Sequence, residues 1–133
     1  MASSSPLPQK LHIKQSQRII VLNAPEGYLK RLGVLPAGVE MARRATGKFD
    51  LVHLFVKNVA ELQRLGPKAL KILKYDAVLW ISYPKKSSKV ETDISRDVGW
   101  DLLRQAGLRP VAAVSIDDTW SALRFRPVAE VGK

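Results

Sequence analysis

An α/β fold with a mostly parallel five-stranded sheet is what this sequence predicts, and three observations predict it. An apolar, β-branched run stands at Arg18-Ile19-Ile20-Val21-Leu22-Asn23. Further apolar runs then alternate with stretches of helical period, the order that parallel β-α units produce. Two final runs, Val111 to Ile116 and Trp120 to Phe125, are separated by Asp117-Asp118-Thr119 alone. So short a connection closes an antiparallel hairpin, which makes the last strand antiparallel to the others.

Taken in order, Pro6 to Lys14 suits one helical turn anchored by Leu7, Leu11 and Ile13. Arg18 to Asn23 is the first strand, apolar on both faces. Ala24-Pro25-Glu26-Gly27 breaks it, Tyr28 to Leu32 turns helically before Gly33, and Leu35 to Gly47 reads either as loop or as short helix. Phe49 to Val56 is the second strand. Asn58 followed by Glu61 is a capping signature, and the helix behind it sets Val59, Leu62, Leu65 and Ala69 against Glu61, Arg64, Lys68 and Lys71. Gly66-Pro67 predicts a break within it, because proline removes a donor and crowds the preceding turn. Ala77 to Tyr83 is the third strand. Thr92 or Asp93 caps a helix to about Ala106, with Ile94, Val98, Leu102 and Leu103 inward and Gly107 ending it. Right-handed crossovers make the first four strands parallel.

The 133 residues suit one domain over residues 10–133 behind a flexible tail over residues 1–9. The N-terminus has neither the basic start nor the apolar run of a signal peptide, and no apolar stretch approaches the roughly 18 residues of a membrane span, so a cytoplasmic protein without membrane contact is expected. With no cysteine and two histidines, thiolate catalysis and Cys- or His-built metal sites are excluded, and no metal or cofactor is expected. The formal charge of +10 is lopsided: residues 1–90 hold 16 Lys and Arg against 5 Asp and Glu, and residues 91–133 hold 6 against 7. Such an excess attracts anions, but no nucleic-acid-binding motif accompanies it and basic surface also serves solubility, so nucleic acid is not the favoured partner.

From Phe49 to Pro127 the order strand, helix, strand, helix, strand, strand resembles the C-terminal half of Rossmann-like methyltransferases. Phe49-Asp50-Leu51-Val52, Ala77-Val78-Leu79-Trp80-Ile81-Ser82 and Gly107-Leu108-Arg109-Pro110-Val111 carry that resemblance over about 80 residues. It implies the strand order 1-2-3-5-4 with strands counted along the chain. The glycine-rich turn that holds S-adenosylmethionine in such proteins has no counterpart: Asn23-Ala24-Pro25-Glu26-Gly27-Tyr28 stands in its place, which argues against S-adenosylmethionine-dependent activity. In Lys10-Leu11-His12-Ile13-Lys14, Leu22 to Tyr28, Trp80 to Lys86 and Asp117 to Pro127 the chain is similar to a small bacterial domain family of unknown function. That similarity implies a stand-alone bacterial α/β domain and transfers no catalytic residue.

Ligands of open parallel sheets bind outside the carboxyl ends of the strands, where loops and helix N-termini converge. That edge collects Asn23, Glu26 and Tyr28, then Lys57, then Tyr83, Lys85, Lys86, Ser87 and Ser88, then Asp117, Asp118 and Trp120. The lysines and hydroxyls of the Ser82–Lys89 loop suit a phosphate or another anion, against the plainer reading of a solvated connection. Asn23 to Tyr28 reads as a turn anchored by Tyr28, or as a site for something small. Asp117-Asp118 suits acid–base work or a divalent cation, and more simply caps its own turn. Trp120, Arg124 and Arg126 share a face, suited to an anionic surface, to pairing with carboxylates, or to shielding the sheet. His53 reads as a hydrogen-bonded core residue, since a lone histidine without an orienting partner makes a poor catalyst.

The chain therefore fits three function classes. The leading one is a non-catalytic module whose basic carboxyl edge binds an anionic small molecule or acidic partner. The second is a small enzyme acting on a phosphorylated or anionic metabolite at that edge, with Lys85, Lys86 and Asp117 or Asp118 as its groups. The third is nonspecific nucleic-acid binding. If all crossovers step one way, helices gather on one face and leave the other to the N-terminal segment, the 35–47 region or a second copy in a homodimer.

Overall fold

The computed structural model describes residues 6–133; residues 1–5 of the expected tail lie outside the described residues, and its residues 7–9 belong to a short helix with Pro8 buried. The elements are α1 (Leu7–Lys10), β1 (Arg18–Leu22), α2 (Tyr28–Leu32), β2 (Glu40–Met41), β3 (Phe49–Phe55), α3 (Val59–Lys71), β4 (Leu73–Pro84), α4 (Asp101–Gln105), β5 (Leu108–Ser115) and β6 (Trp120–Pro127), followed by a 3₁₀ turn, Val128–Glu130. They form one six-stranded sheet of order β2-β1-β3-β4-β6-β5. β2, β1, β3 and β4 run parallel, and β6 pairs antiparallel with both β4 and β5.

Strand count and order thus differ from the expected five in the order 1-2-3-5-4. The difference is β2, a two-residue strand in the stretch that sequence left between loop and helix. It pairs Glu40 and Met41 with Arg18 and Ile19 on the outer side of β1. The chain therefore steps outward from β1 to β2 and then back across to β3, and this reversal puts helices on both faces. α2 packs on the face of Ile19, Leu51, Phe55 and Trp80, together with Leu11 and Ile13 from the N-terminal segment. α3, α4 and the segment before α4 cover the face of Val52, Leu54, Leu79, Ile81 and Phe125. The expectation that helices gather on one face is corrected by this reversal, while the N-terminal segment (Leu7, Leu11, Ile13) and the 35–47 region (Leu35, Val39, Met41), both named from sequence as candidate cover, do pack on the second face beside α2.

Two helices also differ from expectation. α3 runs unbroken through Gly66-Pro67. Gly66 has no Cβ to crowd against the proline, and Leu62 and Ala69, both fully buried, hold the helix to the sheet on either side. The absent Cβ also lets Leu102 approach, since one built on Gly66 would lie 2.4 Å from Leu102 Cδ2. The helix expected over residues 92–106 is confined to Asp101–Gln105. Upstream, polar side chains and turns claim the backbone: Thr92 Oγ1 accepts from the Ile94 N–H, Ser95 and Val98 exchange backbone hydrogen bonds, and Gly99 sits at φ +105°. Trp100 then folds inward, donating from Nε1 to the Ser95 and Arg96 carbonyls and stacking edge-on with Tyr83.

Among the described residues no helix is long and apolar enough to cross a membrane.

Candidate functional site

Because β1 connects outward through α2 and β3 connects the other way through α3, strand order reverses between β1 and β3, where open α/β sheets form their ligand crevice. Here the crevice is closed by the chain itself. Asn23, at φ +58°, turns its amide inward and donates to the Phe55 carbonyl at 2.9 Å and to Glu61 Oε1 at 3.1 Å. Glu61 Oε1 also accepts from the Lys57 N–H at 2.8 Å. The amino terminus of α3 is satisfied as well, Asn58 Oδ1 accepting from the Glu61 N–H and Asp93 Oδ1 from the Val59 N–H, each at 2.8 Å. Two carboxylates, Glu61 and Asp93, and the Asn58 amide oxygen thus occupy the positions an anionic ligand would take at the Lys57, Val59 and Glu61 N–H groups. In the turn after β1, Gly27 is the only glycine, Glu26 is exposed, and Tyr28 is fully buried.

Tyr28 anchors α2 through a buried polar chain. Its hydroxyl lies 3.3 Å from His53 Nδ1, and His53 Nε2 lies 2.6 Å from Ser82 Oγ, with one ring nitrogen donating and the other accepting. His53 stacks on Phe55 at 4.4 Å between ring centroids. Burial lowers the His53 pKa to about 3, so the ring is neutral at physiological pH, and burial likewise raises that of Tyr28. His53 does have orienting partners, which sequence did not reveal, because Tyr28 and Ser82 come from two other segments. Enclosed as it is, the chain satisfies polar groups inside an apolar layer.

The hairpin carboxylates separate in role. Asp117 Oδ1 accepts from the Thr119 and Trp120 N–H groups at 2.8 Å, and its Oδ2 meets Arg31 Nη1 at 2.6 Å. Burial raises the Asp117 pKa, but the Arg31 guanidinium and the two N–H donors outweigh it and hold the carboxyl below its usual range. Asp118 is exposed, and Trp120 is buried edge-on against Phe55 at 5.1 Å. Arg126 pairs with Asp76 through two hydrogen bonds of 3.0 and 2.8 Å, while the buried Arg124 Nε has no partner among the described residues.

What the fold brings together is the loop after β4. Tyr83, Lys85, Lys86 and Ser87 line a groove of about 500 Å³ with Ser95, Arg96, Asp97 and Ser121. Lys85 is set by two contacts: its N–H donates to the Thr119 carbonyl at 2.7 Å, and its Nζ donates to Ser115 Oγ at 2.7 Å. Lys86 and Ser88 also border a wider, adjoining concavity that includes Lys89, Glu91 and Asp93. The carboxyl edge is therefore mixed in charge, because Glu91, Asp93, Asp97 and Asp118 stand among its lysines. Asn23, Tyr28, Asp117 and Trp120 are each engaged in structural contacts away from the groove, and Lys57, whose N–H is held by Glu61 while its side chain is exposed, is not among the groove's lining residues. Ser95, Arg96, Asp97 and Ser121 were missed from sequence: the first three fall where a helix was expected, and Ser121 is legible only once β6 is registered against Tyr83.

No family model and no curated protein matches the chain. Solved structures do resemble it. The N-methyltransferase NodS from Bradyrhizobium japonicum, in complex with S-adenosyl-L-homocysteine, aligns at a TM-score of 0.60 and 13% identity over 91% of this chain and 83% of its own. A ribosomal protein L11 methylase from Lactobacillus delbrueckii subsp. bulgaricus gives 0.58 and 12% over 90% and 73%. A SAM-dependent methyltransferase from Aquifex aeolicus gives 0.56 and 15% over 88% and 85%. At these identities the likeness is one of fold: a Rossmann-like α/β sheet with an antiparallel C-terminal hairpin. The crevice does not fit the cofactor this fold implies, since Asn23 and Glu61 bridge it and Pro25 stiffens the turn where backbone must approach a ligand closely.

Proposed function

We propose that the chain is a non-catalytic binding module on a methyltransferase-like scaffold, taking a phosphorylated or otherwise anionic small molecule in the groove after β4. The observation that supports this most is the groove's lining. Lys85, Lys86 and Arg96 face one carboxylate, Asp97, and the hydroxyls of Ser87, Ser95, Ser121 and Tyr83 add donors of the kind that orient phosphate oxygens. A volume of about 500 Å³ suits a metabolite and falls in the usual range of small-molecule sites. Closure of the β1–β3 crevice by Asn23 and Glu61 supports a module that does without S-adenosylmethionine.

The test is a thermal-shift screen with phosphorylated metabolites and S-adenosylmethionine. A ligand at about ten times its Kd adds about 1.4 kcal/mol. With an unfolding entropy of about 0.28 kcal/mol/K for this length, the midpoint rises by about 5 °C. Lys86→Gln/Arg96→Gln should abolish the shift by phosphorylated ligands. A shift of that size with S-adenosylmethionine, indifferent to Lys86→Gln/Arg96→Gln, would instead favour methyl-transfer chemistry, the reading suggested by the fold of its structural neighbours.

A further inference from the structure

We propose that a second surface, at the opposite, amino end of the sheet, docks the phosphate backbone of nucleic acid. Lys48, just before β3, and Lys68 and Lys71, on the last turns of α3, line a concavity of about 400 Å³ with Ala45, Gly47 and Ile72. No carboxylate is among these lining residues. Arg43 and Arg44 lie on the same loop, and all five cations are exposed. The chain has no Asp or Glu between Glu40 and Asp50, nor between Glu61 and Asp76. The carboxylates at the ends of those stretches are already engaged: Glu40 with Arg18, Asp50 with Lys74, Glu61 with Arg64 and Asp76 with Arg126. None of the five cations forms an ion pair among the described residues.

Like charges gathered around one concavity repel, and an anion placed among them removes that repulsion. The geometry also holds them in place, because Lys48 Nζ donates to the Lys71 carbonyl at 2.7 Å and so ties the loop to the helix. Lys68 and Lys71, three residues apart on α3, stand about 5–6 Å apart at their Cβ atoms, so each can meet its own phosphate. The lining offers no exposed aromatic or large aliphatic anchor, Ile72 being buried, and interfaces with proteins or membranes draw on such anchors. A phosphodiester backbone needs only spaced cations. Sequence pointed to the carboxyl edge for any such contact; there the cations stand beside Glu91, Asp93 and Asp97, whereas the amino-end concavity has no carboxylate in its lining.

The experiment is fluorescence anisotropy of a labelled duplex of about 20 base pairs and arbitrary sequence against the full chain, over about 50 to 200 mM salt. Log K should fall linearly with log salt with a slope of roughly −3 to −5, about 0.9 per phosphate neutralised. Lys68→Gln/Lys71→Gln, with an unchanged circular dichroism spectrum, should shrink the slope by about 2, and Lys48→Gln by about 1. Lys86→Gln/Arg96→Gln at the carboxyl-edge groove should leave it as it was. An unchanged slope in the amino-end variants, loss of binding in the carboxyl-edge variant instead, or binding to phosphatidylserine vesicles with none to the duplex would each overturn the proposal. A negative metabolite screen bears on the other groove and leaves this result standing.

Discussion

Lowering the pH from 7 to 5 should destabilise this protein by about 2 kcal/mol, and His53 is the reason. In the folded chain the ring is enclosed by Tyr28, Phe55 and Ser82, and its pKa is lowered to about 3 by burial. In the unfolded chain it returns to about 6.5. A depressed folded pKa means that the unfolded state binds the extra proton between these values, so stability is greatest above pH 6.5 and falls as pH drops toward 3. At pH 5 the separation of about 1.5 units between solution pH and the unfolded pKa corresponds to about 2 kcal/mol at 1.36 kcal/mol per unit. Carboxylates held low, Asp50, Asp76 and Asp117, add their own loss at more acid pH, below the ordinary carboxylate pKa near 4. Urea unfolding at pH 7 and pH 5 reads the difference, with His53→Gln expected to flatten it and His12→Gln, at an exposed position, expected to preserve most of it. Should the His53 variant fold poorly, the ring proton resonances of the unmodified protein report the same property: those of His53 should not titrate above pH 4. Titration of His53 near 6.5 in the folded protein would refute the reasoning.

Two further outcomes test the crevice and the segment before α4. Glu61→Ala removes the acceptor shared by the Lys57 N–H and the Asn23 amide and should lower stability by about 1.5–3 kcal/mol in urea unfolding, whereas Glu61→Gln, which keeps a carbonyl oxygen there, should lose less than about 1 kcal/mol. Equal losses from the two would mean that the bridge does not close the crevice. Gly99→Ala forces a side chain onto a residue at φ +105° whose Cβ would lie 3.1 Å from Val59 Cγ2, and thermal unfolding should show a loss of about 1–3 kcal/mol; a neutral result would show that the turn over residues 95–99 can relax.

Local chemistry alone determined much of the molecule. The β-branched run at Ile19 to Val21, the Asn58 cap and the hairpin around Asp117 act within a few residues, so strands, a helix start and a turn could be read in order. The alternation of apolar residues on both faces of β3 announced a covered sheet, and the lysine-rich loop after β4 announced part of the groove. What tertiary structure decided were the cases where distant groups outweighed local signals. Proline within α3 is tolerated because Leu62 and Ala69 are buried against the sheet and Gly66 spares the crowding. The helix expected from Thr92 shrinks because Ser95, Gly99 and Trp100 find partners in turns and core. Two residues at Glu40 and Met41 pair with β1, reverse the path of the chain and set a helix on each face, a choice made by hydrogen bonds across 22 residues of sequence between Arg18 and Glu40. Closure of the crevice likewise needed Asn23 and Glu61, 38 residues apart, to meet. Periodicity records which face a residue offers; only the folded chain determines which charges end up without a partner.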